Sequence, residues 1–215
     1  MYKDLFKLLD RIPYFTLEAV RQLIGDEALS PASINTALYR WVKQGRIIKL
    51  KKGMYMTRSF YERYRADENF SALVSAILIP QSYLSLEFVL QKHGILTDIT
   101  YPVTAITFKQ TRVFENTIGT YSYRNIKSAL YTGFEITNYL GISIARASLA
   151  KALFDYLYLR PWQGRGSDDL ADDLRLNISG IPLQDRHDFE CFVDLSNSPK
   201  MKKVLQSFRR NAWQL

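Results

Sequence analysis

The sequence predicts an α+β fold, in which helices dominate the first 66 residues and strands mix with helices in the remainder. Apolar residues recur at helical spacing near the N-terminus, and β-rich runs interrupted by glycine fill the middle of the chain. Helical periodicity returns after residue 148. We therefore expect a small domain over 1–66 and a mixed α+β domain over 67–215, with a mostly antiparallel sheet and C-terminal helices.

The first domain is predicted to contain three helices and a hairpin. The helices cover 2–10, 17–24 and 31–44, and two short strands cover 46–50 and 54–56. Thr16 and Ser30 are good N-cap residues for the second and third helices, and Gly25 ends the second. The basic sequence Lys51-Lys52-Gly53 makes a tight turn between the strands. This order of elements predicts a winged helix-turn-helix.

The third predicted helix has two unlike faces at about 100° per residue. The inner face is apolar and consists of Ile34, Ala37, Leu38, Trp41 and Val42. The outer face is small, hydroxylated or basic and consists of Ala32, Ser33, Thr36, Tyr39, Arg40 and Lys43. A carboxylate would repel phosphates, and this outer face has none. We expect Ser33, Thr36, Tyr39 and Arg40 to reach base edges and nearby phosphates.

Positive charge is concentrated around this helix and hairpin. Seven basic residues and no acidic one lie between Arg40 and Arg58. The whole chain has a net charge of +8. Residues 1–69 contain 13 Lys and Arg against 8 acids, a surplus of 5, whereas the rest of the chain contains 16 against 13, a surplus of 3. Phosphate contacts are therefore predicted for Lys43, Arg46, Lys49, Lys51 and Lys52. The alternative to DNA binding is that the outer face of the third helix is an ordinary solvent-exposed surface.

After a charged, aromatic connector over 57–69, we predict a helix over 70–79, capped by Asp67 or Asn69, and another over 84–93. Strands then follow over 103–108, 112–114, 121–126, 135–139 and 142–145. Ser148 caps a helix over 149–159, and further helices lie near 168–175, 185–195 and 199–210. Aromatic residues crowd the strand region and fit either a core or a protein interface: Tyr121, Tyr123, Tyr131, Phe134 and Tyr139.

The sequence contains no recognisable catalytic constellation. No Glu is followed two positions later by Lys, as many nucleases require, and no glycine loop matches a phosphate-binding motif. The acids after Gly166-Ser167 crowd next to the serine, which favours a solvated helix face over a nucleotidyltransferase site. Lys151, within an apolar helix, is either a buried lysine paired with an acid or a lysine that snorkels to solvent, and snorkelling is the more ordinary outcome. We therefore expect a protein that is not an enzyme.

Cysteine and histidine are too rare for a disulfide or a metal site, because the chain has one Cys and two His. We expect no cofactor and no metal. The N-terminal residues lack the apolar core of a signal peptide, and the most apolar run is too short to cross a bilayer. A soluble, cytoplasmic protein with no membrane partner is predicted.

Several stretches together resemble a known family. The first is Lys52-Gly53-Met54-Tyr55 at the end of the predicted hairpin. SYLSLE at 82–87, with His93-Gly94, is similar to the family stretch YxSLExALxxHG, and ASLAKALFD at 147–155 is similar to ASPEKALLD. Residues 104–108, 119–123 and 133–134 add to the likeness. The chain resembles the AbiEi antitoxins, the transcriptional regulators of type IV AbiE toxin–antitoxin systems.

This resemblance implies that the two domains have different functions. The winged helix would bind inverted repeats in double-stranded DNA at its own promoter and repress the operon. The second domain would counter a nucleotidyltransferase-like toxin without forming a stable complex. Two alternatives stay open: a stand-alone regulator whose second domain binds a ligand or mediates assembly, and an enzyme acting on nucleic acid. The basic C-terminal end adds phosphate contacts or forms a solvated helix face.

Overall fold

The computed structural model describes residues 2–24, 30–97, 102–161 and 170–213. The helices are α1 (Tyr2–Leu9), α2 (Leu17–Ile24), α3 (Pro31–Lys43), α4 (Arg58–Tyr64), α5 (Phe70–Leu78), α6 (Glu87–Lys92), α7 (Leu149–Leu159), α8 (Leu170–Asp173), α9 (Leu183–Ser196) and α10 (Pro199–Asn211). The strands are β1 (Phe15–Thr16), β2 (Ile47–Lys51), β3 (Met54–Thr57), β4 (Ser82–Leu84), β5 (Val103–Thr107), β6 (Arg112–Asn116), β7 (Gly119–Asn125), β8 (Phe134–Tyr139) and β9 (Ile142–Ala147). The fold is mixed α+β with two sheets.

The N-terminal helices pack on a three-stranded antiparallel sheet in the order β1-β3-β2. Their apolar cluster contains Leu5, Leu9, Phe15, Val20, Ile34, Leu38, Trp41 and Ile47. The predicted inner face of α3 is confirmed, since its large apolar side chains are buried or half-buried. Leu8 of α1 lies outside this cluster and is 49% exposed.

The larger sheet has six strands in the order β6-β7-β5-β4-β9-β8. Three neighbouring pairs are antiparallel, whereas β4–β9 and β5–β7 are parallel. The sheet is therefore mixed, with three antiparallel and two parallel pairs. The reason is topological: β6 and β8 lie at the two edges, so their hairpin partners β7 and β9 join the centre parallel to β5 and β4.

Two local predictions were wrong. The charged connector over 57–69 contains α4, which Thr57 caps by accepting a hydrogen bond from the Phe60 amide at 3.1 Å. The helix expected over 84–93 is shorter, because residues 82–84 join the sheet as β4. Contacts of Thr104 accompany the later start of this helix. The Thr104 hydroxyl donates to the Ser85 carbonyl at 2.8 Å and accepts from the Phe88 amide at 3.0 Å.

The larger sheet is covered on both faces. On one face, the Tyr123 hydroxyl donates to the Ser75 carbonyl of α5 at 2.9 Å. On the other, Tyr83 bonds to Asp155 of α7. Helix α7 in turn packs against α9 and α10, so the C-terminal helices lie on the face opposite α5.

The small sheet belongs to both apolar cores. Alternate residues of a strand point to opposite faces. Ile47 packs with the N-terminal helices, whereas Ile48 and Leu50 join the large cluster of the mixed domain together with Met56 and Phe60. The predicted boundary between residues 66 and 67 falls between α4 and α5, but the hairpin ahead of it already packs on the second domain.

Within the described residues, no helix combines the length and apolar character needed to span a bilayer. Some residues that the sequence analysis named lie outside the described residues: Gly25, Gly166, Ser167, Asp168 and Asp169.

Candidate nucleic-acid interface

The outer face of α3 begins with a chain of hydroxyl contacts. Ser30 caps the helix as predicted, because its Oγ accepts from the Ser33 amide at 3.2 Å. The Ser30 and Ser33 hydroxyls lie 2.9 Å apart, and the Thr36 hydroxyl donates to the Ala32 carbonyl at 2.9 Å. These contacts fix the exposed hydroxyls of Ser33 and Thr36 while leaving acceptor capacity on Thr36.

Further along the same face lie an aromatic ring and two cations. Tyr39 is 64% exposed, and the Lys43 ammonium lies 5.7 Å from its ring centroid. Arg40 is exposed and, among the described residues, forms no ion pair. Because α3 contains no acid, this face presents hydrogen-bond donors and positive charge without a competing carboxylate.

The cations of the hairpin differ in position. Arg46 is exposed, and its guanidinium stacks 4.0 Å from the ring of Phe6. Lys49 is exposed on the same strand face as Ile47 and lies opposite Tyr55, which places it on the helix side of the small sheet. Lys52 is exposed in the turn.

Lys51 differs from the other predicted phosphate contacts because it bridges to the second domain. It is half-buried, its ammonium donates to the Leu78 carbonyl at 2.5 Å, and it lies 6.0 Å from the ring of Phe114. Burial lowers the pKa of Lys51, and the positive charges of Lys109 and Arg112 lower it further. One N–H of the Lys51 ammonium is thus engaged inside the protein, whereas the other predicted phosphate contacts are exposed.

The structure places Lys109 and Arg112, which the sequence did not single out, near this bridge. No local pattern distinguishes them from other surface cations. Their position depends on β6 lying beside the hairpin, a contact made by the Asn116 amide group donating to the Leu50 carbonyl at 3.1 Å. This pairing joins residues far apart in the chain, so sequence spacing could not reveal it.

A second polar cluster is buried between α7 and β4. Asp155 accepts hydrogen bonds from Lys151, from the Tyr83 hydroxyl at 3.0 Å and from the Ser85 hydroxyl at 2.8 Å. Both members of the Lys151–Asp155 ion pair are fully buried. The Lys151 ammonium also lies 5.0 Å from the centroid of the Phe154 ring. The expectation that Lys151 snorkels to solvent was wrong, because the carboxylate one turn later holds it inside.

Burial dominates the electrostatics of this cluster. Desolvation raises the pKa of Asp155, while Lys151 and the two hydroxyls oppose the rise. Desolvation likewise lowers the pKa of Lys151, with Asp155 opposing it. The cluster is enclosed by aromatic rings and α7, so it fits a structural link better than a place where a substrate binds.

Within the described part of the chain, no three His, Cys, Asp or Glu side chains are grouped to hold a metal ion. An open cleft of about 370 Å³ lies between α6 and α9, lined by His93, Ile95, Leu149, Asn177, Gly180, Ile181, Pro182 and Asp185. The chain matches no protein-family model and no curated protein sequence.

Proposed function

We propose that this protein is a DNA-binding transcriptional regulator of the AbiEi-antitoxin type, built on an N-terminal winged helix-turn-helix. The observation that carries the proposal is the outer face of α3, where exposed hydroxyls, a phenol and cations stand together with no acid. Such a face suits a recognition helix in the major groove.

The surroundings of α3 support this reading. Helix α2 packs against α3, and the hairpin β2–β3 follows directly. Lys49 and Lys52 are exposed on that hairpin. In the proposed complex, Ser33, Thr36, Tyr39 and Arg40 meet base edges and nearby phosphates. Lys43, Arg46, Lys49 and Lys52 bind phosphates, whereas Lys51 holds the hairpin on the second domain.

The DNA-binding proposal is tested by mobility shift with the duplex upstream of the protein's own gene, against scrambled competitor at two salt concentrations. We expect salt-sensitive binding that prefers the native sequence. Arg40→Ala should reduce that preference roughly 5- to 150-fold, the equivalent of about 1–3 kcal/mol of base discrimination.

Arg63→Ala is the matched control, since Arg63 is an exposed arginine on α4. It removes the same charge and should leave the sequence preference unchanged. If wild-type protein binds native and scrambled duplexes equally, the regulator proposal is wrong. If Arg40→Ala and Arg63→Ala have equal effects, Arg40 contributes only its positive charge and does not read the base sequence.

The antitoxin part of the proposal is supported by the second domain. The two stretches most similar to the AbiEi family, 82–87 and 147–155, meet in the buried cluster of Tyr83, Ser85, Lys151 and Asp155. The two stretches that resemble the family are therefore in contact with each other in the structure.

Co-expression with the product of the neighbouring gene tests the antitoxin role. If that gene encodes a nucleotidyltransferase-like protein that stops growth, this protein should restore growth, and no stable complex should co-purify. If growth is not restored, the antitoxin role is wrong, whereas the DNA-binding proposal is unaffected.

The cleft between α6 and α9 favours a second candidate, a stand-alone regulator that senses a small ligand. His93, Asn177 and Asp185 give this cleft polar groups beside apolar walls, a combination typical of ligand sites. A metabolite that raises the melting temperature and changes DNA affinity would support this candidate. Filling the cleft by Gly180→Leu should then abolish both responses.

A further inference from the structure

We propose that the second domain extends the DNA-binding surface through Lys109 and Arg112, which contact phosphates flanking the site read by α3. This inference rests on the proposed DNA binding and assigns part of it to residues outside the winged helix.

Strand β6 is an edge strand that faces the hairpin. Asn116 bonds to the Leu50 carbonyl at 3.1 Å, and Phe114 lies 6.0 Å from the Lys51 ammonium. Alternate residues of a strand share a face, so Arg112 lies on the same side as Phe114 and Asn116. The exposed guanidinium of Arg112 therefore belongs to the surface around the hairpin.

Lys109 is held beside this strand by the turn that precedes it. Its amide donates to the Thr107 hydroxyl at 3.1 Å, and its carbonyl accepts from the Asn125 side chain at 2.8 Å. These bonds fix the backbone, so the exposed Lys109 side chain starts from a defined position. Lys109 and Arg112 both lie near enough to Lys51 to act on its charge.

Lys109 and Arg112 therefore form a group of like charges with Lys51. Among the described residues, neither Lys109 nor Arg112 forms an ion pair, and both are exposed. Clustered cations repel one another in the unbound protein, and a polyanion offsets that cost. Duplex DNA suits this surface because the hairpin carries cations on both of its sides. Lys49 lies on the helix side of the small sheet, whereas Lys51, two residues further on, lies near Lys109 and Arg112. A phosphate backbone supplies charges along such a path.

The test compares the salt dependence of binding to two duplexes, one trimmed to the core site and one with about ten flanking base pairs on each side. Lys109→Ala/Arg112→Ala should lower the salt slope on the longer duplex by about two units, at roughly 0.9 per phosphate contact. On the trimmed duplex, the variant should bind as the wild type does. Preference over scrambled sequence should stay unchanged.

Lys127→Ala/Arg175→Ala is the matched control. Both side chains are exposed. Lys127 precedes the short 3-10 turn that packs on α9, and Arg175 follows α8, which packs on α10, so both lie near the C-terminal helices rather than the hairpin. The control removes the same charge and should leave the slope unaltered. An unchanged slope in Lys109→Ala/Arg112→Ala, or an equal loss in the control, would overturn the inference. Absence of any duplex binding by the wild type would instead refute the proposed function itself.

Discussion

Removing one member of the buried ion pair should destabilise the protein more than removing both charges. Asp155→Asn leaves the Lys151 ammonium buried without its carboxylate, and breaking such a pair costs about 3–5 kcal/mol. Lys151→Met leaves a carboxylate that still accepts from Tyr83 and Ser85, which places its cost near the lower end of that range. In the double variant both charges are gone, and the amide oxygen introduced by Asp155→Asn still serves the two hydroxyls.

The double variant is more stable than Asp155→Asn only if the coupling between Lys151 and Asp155 exceeds the cost of Lys151→Met, so we expect a coupling above about 3 kcal/mol, at the upper end of the range for residues in direct contact. The double variant should be more stable than Asp155→Asn alone. Urea denaturation followed by circular dichroism measures this, since about 2 kcal/mol moves the midpoint by roughly 1 M at a typical slope. If the two single losses add to within about 0.5 kcal/mol, the pair is not coupled and the reasoning fails.

The same variant predicts a pH dependence. In Lys151→Met the carboxyl of Asp155 stays buried, and desolvation raises its pKa in the folded protein without an ammonium to oppose it. The folded state then binds more protons than the unfolded state above the ordinary pKa of 3.8. Stability is thus retained below the ordinary pKa of 3.8 and lost as the pH rises through the higher folded-state pKa, so the gap to wild type should widen as the pH is raised from 3.8 towards neutrality. A constant gap would mean that Asp155 does not titrate in this range.

Two further predictions each compare a pair of similar substitutions at different positions. Gly133→Ala should lower stability by about 2–4 kcal/mol, because the backbone has φ +77° and the new Cβ would lie 2.5 Å from Phe192. Gly141→Ala, at φ +78° with no atom within 4 Å, should cost only about 1–2 kcal/mol in the same thermal melts; equal losses would exclude the clash. Lys51→Ala should lower the melting temperature with little change in the salt slope of DNA binding, whereas Lys52→Ala should lower the slope by about one unit and leave the melt unchanged. The reverse pattern would show that Lys51, not Lys52, meets the DNA.

Local signals predicted the helical part of this protein well. The Ser30 and Ser148 caps and the two faces of α3 follow from chemistry within a few residues, and all were confirmed. The candidate DNA contacts on α3 are exposed together for the same reason, although their role stays a prediction.

The errors have non-local causes. Residues 82–84 read as the start of a helix, yet they form a strand because β5 and β9 pair with them from distant parts of the chain. The contacts of Lys51 within the protein could not be predicted either, because its partners, Leu78 and Phe114, are far away in sequence. Lys151 was taken for a snorkelling lysine, although Asp155 one turn later is the partner that keeps it buried.

The two-sided packing of β2 restricts how the hairpin can change in length. Ile47 points into one core, and Ile48 and Leu50 point into the other. A single inserted or deleted residue ahead of Ile47 that shifted this strand by one position would turn each of these side chains to the wrong face, and both cores would lose packing at once. Insertions and deletions in related proteins should therefore fall in the turn around Lys52, and the strand itself should keep its length.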